Sequence, residues 1–303
     1  MAMNLSTTHI GSFPIGFRLR AGGWQDDLPA TIAWARAQGF AALDVDSLPP
    51  ESIRQILASG LMIGSVDIRQ SWTDLCSPDP GKRRAAAQAN ADYIRTIVPL
   101  GIRNFFVVLI PEDSTRDRRE NFAFAADGYG QLCEMIAPTG ARILIEGWPG
   151  RPPHYSTLGC TPAECRGLFT AIGSDVMGIN YDPSHLVRLG IDYLCFLDEF
   201  APRIHHVHAK DTRILHESQY EHGVLQPSAV AVPHAFGGLH WRYTIPGQGE
   251  IDWPTLLARL AQLGYHGIIS IELEDECFTG SEAAEKKGLI EAERFLETCR
   301  GCG

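Results

Sequence analysis

The chain has 303 residues, of which 45% are hydrophobic, so it can bury a substantial core in one large domain or two ordinary ones. Its formal net charge of −10 comes from 36 acidic against 26 basic side chains, which disfavours nucleic acid and anionic membranes as general partners. The sequence shows neither a signal peptide nor an apolar run of about eighteen residues, and we therefore expect a cytoplasmic protein without a membrane span.

Short apolar runs alternate with longer helical patterns along the chain. The predicted strands are residues 5–10, 41–45, 61–68, 105–110, 142–146, 176–182, 204–209 and 267–273. The predicted helices are residues 29–38, 50–58, 81–100, 119–136, 191–200, 253–263 and 281–300. A further helix begins at Thr161-Pro162-Ala163-Glu164, which reads as an N-cap, an N1 proline and a capping-box glutamate. Residues 211–250 lack clear periodicity and are predicted to form a long loop after the seventh strand.

Eight strand–helix units without a linker or a composition break predict an α/β fold, a single (β/α)8 TIM barrel that takes in residues 1–303. A doubly wound sheet is the alternative. No Gly-x-Gly-x-x-Gly motif follows any predicted strand, however, and no residue is assigned to an organic cofactor.

Four consecutive predicted strands end in residues that can bind a metal ion. Glu146 closes the fifth strand, Asp182 the sixth and Glu272 the eighth, and His208 lies near the end of the seventh. We expect these side chains to converge, because the C-terminal ends of barrel strands meet at one face. Three carboxylates and one imidazole suit one divalent ion, Mn²⁺ or Mg²⁺ before Zn²⁺ or Co²⁺. The alternative is four separate hydrogen-bonded residues at strand ends.

Other polar and aromatic residues stand near these four positions. His185 follows Asp182 by three residues and could bind a substrate oxygen or provide a second metal ligand. Lys210 shares a strand face with His208 and could hold a substrate oxygen or a neighbouring carboxylate. Arg213 could bind a substrate hydroxyl or phosphate, and Trp148 could form a wall of the pocket. The alternatives are local hydrogen bonding for His185, a solvated ion pair for Arg213 and ordinary loop packing for Trp148.

Several short motifs carry a resemblance to a known family. They are Ile145-Glu146, Asp182-Pro183-Ser184-His185, His206-Val207-His208-Ala209-Lys210-Asp211, Gly247-Gln248-Gly249-Glu250-Ile251-Asp252-Trp253 and Ile271-Glu272. With the eight-unit pattern, the chain resembles the sugar phosphate isomerase/epimerase family, the xylose isomerase-like barrels that also include the type-IV AP endonucleases. The resemblance implies that Glu146, Asp182, His208 and Glu272 are metal ligands. It also implies that Glu146 and Glu272 form an acid/base pair, and that His185 and Arg213 contact substrate oxygens.

The endonuclease branch is not the one implied. Its members bind three zinc ions with extra histidines after the second and third strands and in an Asp-x-His motif after the seventh. Here the third strand carries Asp67, and Arg213 stands where that motif has its histidine. We therefore do not expect DNA repair.

The resemblance implies a small-molecule substrate, a ketose or keto-sugar that is phosphorylated or not. The expected reaction is isomerisation or epimerisation through removal of a proton next to a carbonyl group. Elimination, as in inosose dehydratases or enzymes that cleave 3-keto-glycosides, is a close alternative. A non-catalytic sugar-binding barrel is an alternative of another class. Members of this family often dimerise, so a homo-oligomer stays open.

Overall fold

The computed structural model describes residues 13–68, 72–151 and 156–299, and eight of its strands close into a parallel barrel. In chain order the strands are β1 (Ile15–Arg18), β2 (Ala42–Val45), β3 (Met62–Asp67), β4 (Asn104–Val107), β5 (Arg142–Ile145), β6 (Met177–Tyr181), β7 (Ile204–Ala209), β8 (Asp211–Ile214), β9 (Trp241–Thr244) and β10 (Ile269–Ile271). The barrel consists of β1 to β7 and β10, each strand paired with the next, and β10 pairs with β1 to close it. This confirms the predicted (β/α)8 barrel.

Ten α-helices lie among the described residues, and the barrel strands alternate with them along the chain. They are α1 (Leu28–Gln38), α2 (Pro50–Ala58), α3 (Pro80–Ile97), α4 (Arg118–Ile136), α5 (Pro162–Ile172), α6 (Pro183–Arg188), α7 (Tyr193–Phe200), α8 (His216–His222), α9 (Trp253–Gln262) and α10 (Glu282–Cys299). Side chains at the N-caps fix several starts, because they accept hydrogen bonds from otherwise unpaired backbone N–H groups. Thr161 accepts from the N–H of Glu164 at the start of α5, as its sequence predicts. None of these helices is both long enough and apolar enough to cross a membrane.

The first barrel strand differs from its prediction. The predicted strand at residues 5–10 lies outside the described residues, and β1 forms in the segment that was expected to be a loop. That segment reads Phe13-Pro14-Ile15-Gly16-Phe17, in which proline and glycine are typical of turns. Gly16 fits the barrel because a Cβ there would lie 2.6 Å from the carbonyl oxygen of Ala42 on β2. The glycine therefore permits close strand packing.

The segment after β7 is not a structureless loop. It contains α8 and an antiparallel pair of β8 with β9, in which Asp211 lies opposite Thr244 and Ile214 opposite Trp241. The two strands are 26 residues apart in the chain, so local periodicity could not reveal their pairing.

The carboxylate of Asp211 joins this hairpin to the start of α9. It accepts hydrogen bonds from the backbone N–H groups of Thr212, Gly247 and Ile251 and from Nε1 of Trp253, at 2.8–3.1 Å. A buried carboxylate needs such donors to remain compatible with the core. The hairpin is therefore held in place directly above the C-terminal end of β7.

The seventh strand presents alternate side chains to opposite sides, as predicted. His206 and His208 are buried in the barrel interior, at 1% and 0% exposure, and Lys210 follows on the same face at 1%. His205 faces outward and is half-buried among helices, where burial and the nearby charges of Arg142 and Arg203 lower its pKa to about 4. Period-two alternation therefore determines which histidines reach the centre.

Candidate metal centre

The four strand-end residues singled out from the sequence converge at one point. Glu146 directly follows β5, Asp182 follows β6, His208 lies within β7 and Glu272 directly follows β10. One ligand atom from each lies within 4.8 Å of the corresponding atoms of the other three. Because β5, β6, β7 and β10 are neighbours in the barrel, the four side chains enter from adjacent strands.

His208 stands in the middle of this cluster, with one ring nitrogen on each side. Its Nδ1 lies 2.7 Å from Oε1 of Glu146 and 3.5 Å from Oε2 of Glu272. Its Nε2 lies 3.3 Å from Oδ2 of Asp44 on the opposite side of the barrel. The ring of Phe106 stacks on the imidazole with a centroid separation of 5.4 Å. His208 is thus oriented with Nδ1 toward the carboxylate cluster.

Asp44 supports this orientation from β2. It accepts a hydrogen bond from the backbone N–H of Ser65 at 2.9 Å, and its other oxygen is 2.8 Å from Nε2 of His206. Burial opposes ionisation of Asp44, but the two histidines outweigh it and hold the pKa well below its ordinary value. Asp44, His206 and His208 also lie within ligand distance of one another. Since Asp44 is already engaged by Ser65 and His206, we assign it to orienting His208 rather than to binding a second ion.

Asp182 has one oxygen engaged and one directed at the cluster. Its Oδ1 accepts from the N–H and the hydroxyl of Ser184, at 2.9 and 2.5 Å, which caps α6. Its Oδ2 lies 3.4 Å from Nε2 of His185, and that nitrogen is also 3.3 Å from Glu146. The other nitrogen of His185 is hydrogen-bonded to the hydroxyl of Tyr243 at 2.6 Å. The structure therefore brings His185 against two members of the cluster.

A buried lysine adjoins the same carboxylates. The Nζ atom of Lys210 lies 2.5 Å from Glu272, 3.0 Å from Glu274 and 3.2 Å from Asp182. Burial alone would lower the pKa of Lys210, but the surrounding carboxylates raise it well above its ordinary value. Lys210 is therefore an ammonium ion held by three acids.

Both glutamates of the cluster are ionised. Burial raises the pKa of Glu146, and so does the negative charge of Glu272, but His208 and His185 outweigh them and lower it to about 2. Burial likewise opposes ionisation of Glu272, and Lys210, His208 and Arg18 bring its pKa well below the ordinary range. Ionised carboxylates can bind a cation and can accept a proton.

Arg18 and Asp67 form a charged pair at the rim of the cluster. Two guanidinium nitrogens of Arg18 donate to the two oxygens of Asp67 at 2.9 and 2.8 Å. Nε of Arg18 lies 3.5 Å from Glu272, and the guanidinium lies 4.4 Å from the ring centroid of Phe106. The pair is 11–12% exposed, so it borders the entrance to the cluster.

The donor set fits a divalent cation. The buried atoms Nδ1 of His208 and Oδ2 of Asp182 face the centre of the cluster, and neither makes a hydrogen bond of suitable angle with the described residues, although Glu146 and Lys210 lie 2.7 and 3.2 Å away. Three carboxylates and an imidazole are ligands that Mn²⁺, Mg²⁺ and related divalent ions accept. Glu146, Asp182, His208 and Glu272 could therefore hold one such ion.

The remaining predicted residues are placed differently. Trp148 is half-buried after β5 and lines a pocket beside the cluster. Arg213 is exposed on β8, opposite Arg242, rather than on a loop, and its contact with substrate stays a prediction. Asp44 and Arg18 were not singled out, because each ends or interrupts an apolar strand far from the motifs in the second half of the chain.

Comparison with known proteins agrees with this geometry. The family model described as the xylose isomerase-like TIM barrel matches residues 32–299. An inosose dehydratase of Clostridium beijerinckii (strain ATCC 51743 / NCIMB 8052) is 26% identical over 296 residues, 90% of this chain and 92% of that protein. The uncharacterised protein YfiH of Bacillus subtilis (strain 168) is 34% identical over 139 residues, only 45% of this chain and 42% of YfiH.

Solved structures show the same fold at low sequence identity. A D-psicose 3-epimerase from Clostridium cellulolyticum H10 superposes with a TM-score of 0.70 at 16% identity, covering 95% of this chain and 100% of that one. A 3-keto-D-glucoside 4-epimerase from E. coli gives 0.69 at 15% identity, with the same coverage. Together with the family model over residues 32–299, the barrel and its strand-end cluster lead to one conclusion: the chain belongs to the xylose isomerase-like TIM barrel family.

Proposed function

We propose that the chain is a divalent-metal-dependent isomerase or epimerase that acts on a ketose or keto-sugar, phosphorylated or not. The observation that carries this proposal is the convergence of two ionised glutamates, Glu146 and Glu272, on one imidazole nitrogen of His208. Two carboxylates from different strands can transfer protons at two faces of one substrate or at two of its neighbouring carbons. The sugar epimerases among its structural neighbours fit this reaction class.

The ligand set favours Mn²⁺ or Mg²⁺ over the other divalent ions, because it is dominated by carboxylate oxygens. A divalent ion bound there supplies Lewis-acid stabilisation for negative charge that develops on a substrate carbonyl oxygen.

The side chains of the chain itself provide the proton transfers and the orientation. One ionised glutamate removes the proton next to the carbonyl group and becomes a carboxylic acid. The other takes up a proton from solvent and delivers it at the opposite face for epimerisation or at the neighbouring carbon for isomerisation, and the first then loses its proton to solvent. We infer that His185 and Lys210 hold substrate oxygens, because both contact the cluster and carry N–H donors. Lys210 and His208, with a smaller contribution from Arg18 at the entrance, keep Glu272 ionised against the effect of burial.

Elimination is the second candidate, since inosose dehydratases align with 90% of this chain. It begins with the same proton removal by a glutamate. The electron pair of the broken C–H bond then forms a carbon–carbon double bond, and the β carbon–oxygen bond breaks. The leaving oxygen takes up a proton and departs as water or an alcohol.

Incubation of the Mn²⁺-loaded protein with ketoses, inososes and 3-keto-glycosides in D₂O tests the proposal. We expect deuterium at the carbon next to the carbonyl group of one substrate class, with an epimer or isomer as product; an unsaturated product would assign elimination. E272Q should abolish exchange. E291Q, on α10 at a side chain that is 39% exposed, serves as the control and should exchange normally. Absence of exchange on every substrate would contradict both reactions and favour a sugar-binding barrel without catalysis.

A further inference from the structure

An open pocket of about 370 Å³ lies beside the metal centre. Its volume falls in the range of roughly 300–1,000 Å³ that is usual for sites of small organic molecules. Its lining includes four aromatic side chains, Trp148, Phe236, Trp241 and Tyr243, and four charged or titratable ones, Arg151, Arg188, His234 and Glu274. None of the four proposed metal ligands lines it, so it adds space next to the reacting centre.

Two pairs of contacting side chains connect the pocket to the metal centre. The hydroxyl of Tyr243 is hydrogen-bonded to His185, whose other ring nitrogen faces Glu146 and Asp182 at 3.3 and 3.4 Å. Glu274 lies 3.0 Å from Lys210, and Lys210 lies 2.5 Å from Glu272. Two side chains in series therefore lie between the pocket and the acid/base pair on each route: Tyr243 with His185, and Glu274 with Lys210.

The pocket has a built floor and an anchored wall. Trp241 and Tyr243 on β9 form the floor at 2% and 3% exposure, with ring centroids 4.9 Å apart. The segment of residues 233–237 forms one wall, and Glu276 holds it by bonds to the ring of His234 and to the N–H of Ala235, at 2.7 and 3.2 Å. The segment after β7 thus builds much of this pocket.

The aromatic side chains of the lining favour a sugar ring over an aliphatic chain. Aromatic faces pack against the C–H surface of a pyranose, and polar groups at the edges bind its hydroxyls. Glu274 supplies an acceptor, and the half-buried His234 supplies a ring nitrogen beyond the one bound to Glu276. Of the two arginines, Arg188 is engaged by the Tyr243 hydroxyl and the Gly150 carbonyl, at 2.7 and 2.6 Å, and its guanidinium lies 4.0 Å from the ring centroid of Trp241.

We propose that this pocket is the subsite for a second sugar ring, so that the substrate is a keto-glycoside whose oxidised ring lies at the metal centre. This inference rests on the proposed function for the placement of the oxidised ring. It also assigns a role to Trp148, which sequence reasoning placed at the wall of the pocket. The metal cluster itself is nearly closed, with side chains 0–13% exposed, so a substituent on the reacting ring needs this adjoining space.

Solvent-deuterium exchange on matched substrates tests the subsite. The probes are 3-keto-glucose, its methyl glycoside, its phenyl glycoside and a 3-keto-disaccharide, each with the Mn²⁺-loaded protein. We expect kcat/KM for the disaccharide to exceed that for the methyl glycoside by about tenfold or more. A preference for the phenyl glycoside over the disaccharide would show an aromatic aglycone site and overturn the second-ring assignment. Equal rates on all four would overturn the subsite and leave the proposed function standing.

Two variants test whether the pocket causes the preference for the disaccharide over the methyl glycoside. W148A and the rim substitution A235W, which fills the pocket from its exposed edge, should each lower the disaccharide-to-methyl-glycoside ratio of kcat/KM by about tenfold. W24A truncates a half-buried tryptophan that bonds Glu285 of α10, outside the pocket, and should leave the ratio unchanged. A ratio that W148A and A235W do not change would contradict the assignment.

Binding without turnover separates the two proposals. Maltose and cellobiose, titrated against the protein with and without Mn²⁺, should change the intrinsic tryptophan fluorescence, and W148A should weaken both affinities by about tenfold. Such binding together with no exchange on any keto-sugar would refute the proposed function and retain the pocket as a sugar site. No binding and no preference would refute the subsite.

Discussion

The ammonium of Lys210 lies 2.5 Å from Oε2 of Glu272, in the interior of the barrel mouth. The same ammonium reaches Asp182 and Glu274, so one buried cation is shared by three acids. Two of those acids are proposed metal ligands. Lys210 therefore balances part of the negative charge that would otherwise oppose folding when no divalent ion is bound.

Replacement of Lys210 by methionine should destabilise the metal-free protein by about 3–5 kcal/mol, because it leaves buried carboxylates without their partner. Saturating Mn²⁺ should then raise the melting temperature of K210M by more than it raises that of the wild type. Thermal unfolding with and without Mn²⁺ measures both effects, with K287M on the exposed face of α10 as the control. Equal metal-induced shifts in the wild type and K210M would contradict this account.

Asp44 should control metal affinity without touching the ion. Its carboxylate faces Nε2 of His208 at 3.3 Å and thereby favours presentation of Nδ1 to the cluster. Loss of such a partner typically weakens metal binding by about 10- to 100-fold. Calorimetric titration with Mn²⁺ should show that loss in D44N and none in D46N, whose side chain is exposed two residues later. Unchanged affinity in a folded D44N protein would remove Asp44 from this role.

Metal binding should release protons. Burial lowers the pKa of His208, but Glu272, Glu146 and Asp44 outweigh it and raise that pKa well above its ordinary value in the metal-free protein. A histidine must be neutral to bind a metal ion, so binding near pH 7 should release roughly one proton per ion, and affinity should rise with pH. Titrations in two buffers of different ionisation enthalpy report the number released. Identical apparent enthalpies in both buffers would show that no proton leaves.

Gly64 should tolerate no side chain. A Cβ there would lie 2.3 Å from Oδ1 of Asp44 and 2.6 Å from Cε1 of His206, both buried inside the barrel. G64A should therefore lower the free energy of unfolding by about 1–3 kcal/mol. G130A provides the contrast, because Gly130 lies within α4 with nothing within 4 Å of its Cβ position, and there alanine should stabilise by about 0.5–1 kcal/mol. Equal effects of the two substitutions in chemical denaturation would contradict the packing argument.

The barrel and the four-residue cluster were accessible from the sequence for one physical reason. In a parallel barrel, equivalent positions at successive strand ends share one face, so Glu146, Asp182 and Glu272 could be placed together without knowledge of any contact. Period-two alternation then separated His206 and His208 from His205.

The features that were missed depend on contacts distant in the chain. Asp44 meets His206 across 162 residues, and Arg18 meets Asp67 across 49, so no local pattern marks either pair. Likewise, β8 and β9 pair across 26 intervening residues, so their pairing leaves no local pattern in the sequence. At β1, proline and glycine indicated a turn, but packing against β2 and β10 overrides that local preference.

The central claim is that one divalent ion is bound by three carboxylates and by Nδ1 of His208. Electron spin-echo envelope modulation of the protein with one equivalent of Mn²⁺ tests it most directly, because the method detects a coordinated imidazole nitrogen. We predict coupling to one ¹⁴N nucleus that disappears in H208N, together with a calorimetric stoichiometry of one ion per chain. Bound Mn²⁺ without nitrogen coupling, or coupling that survives in H208N, would contradict the account.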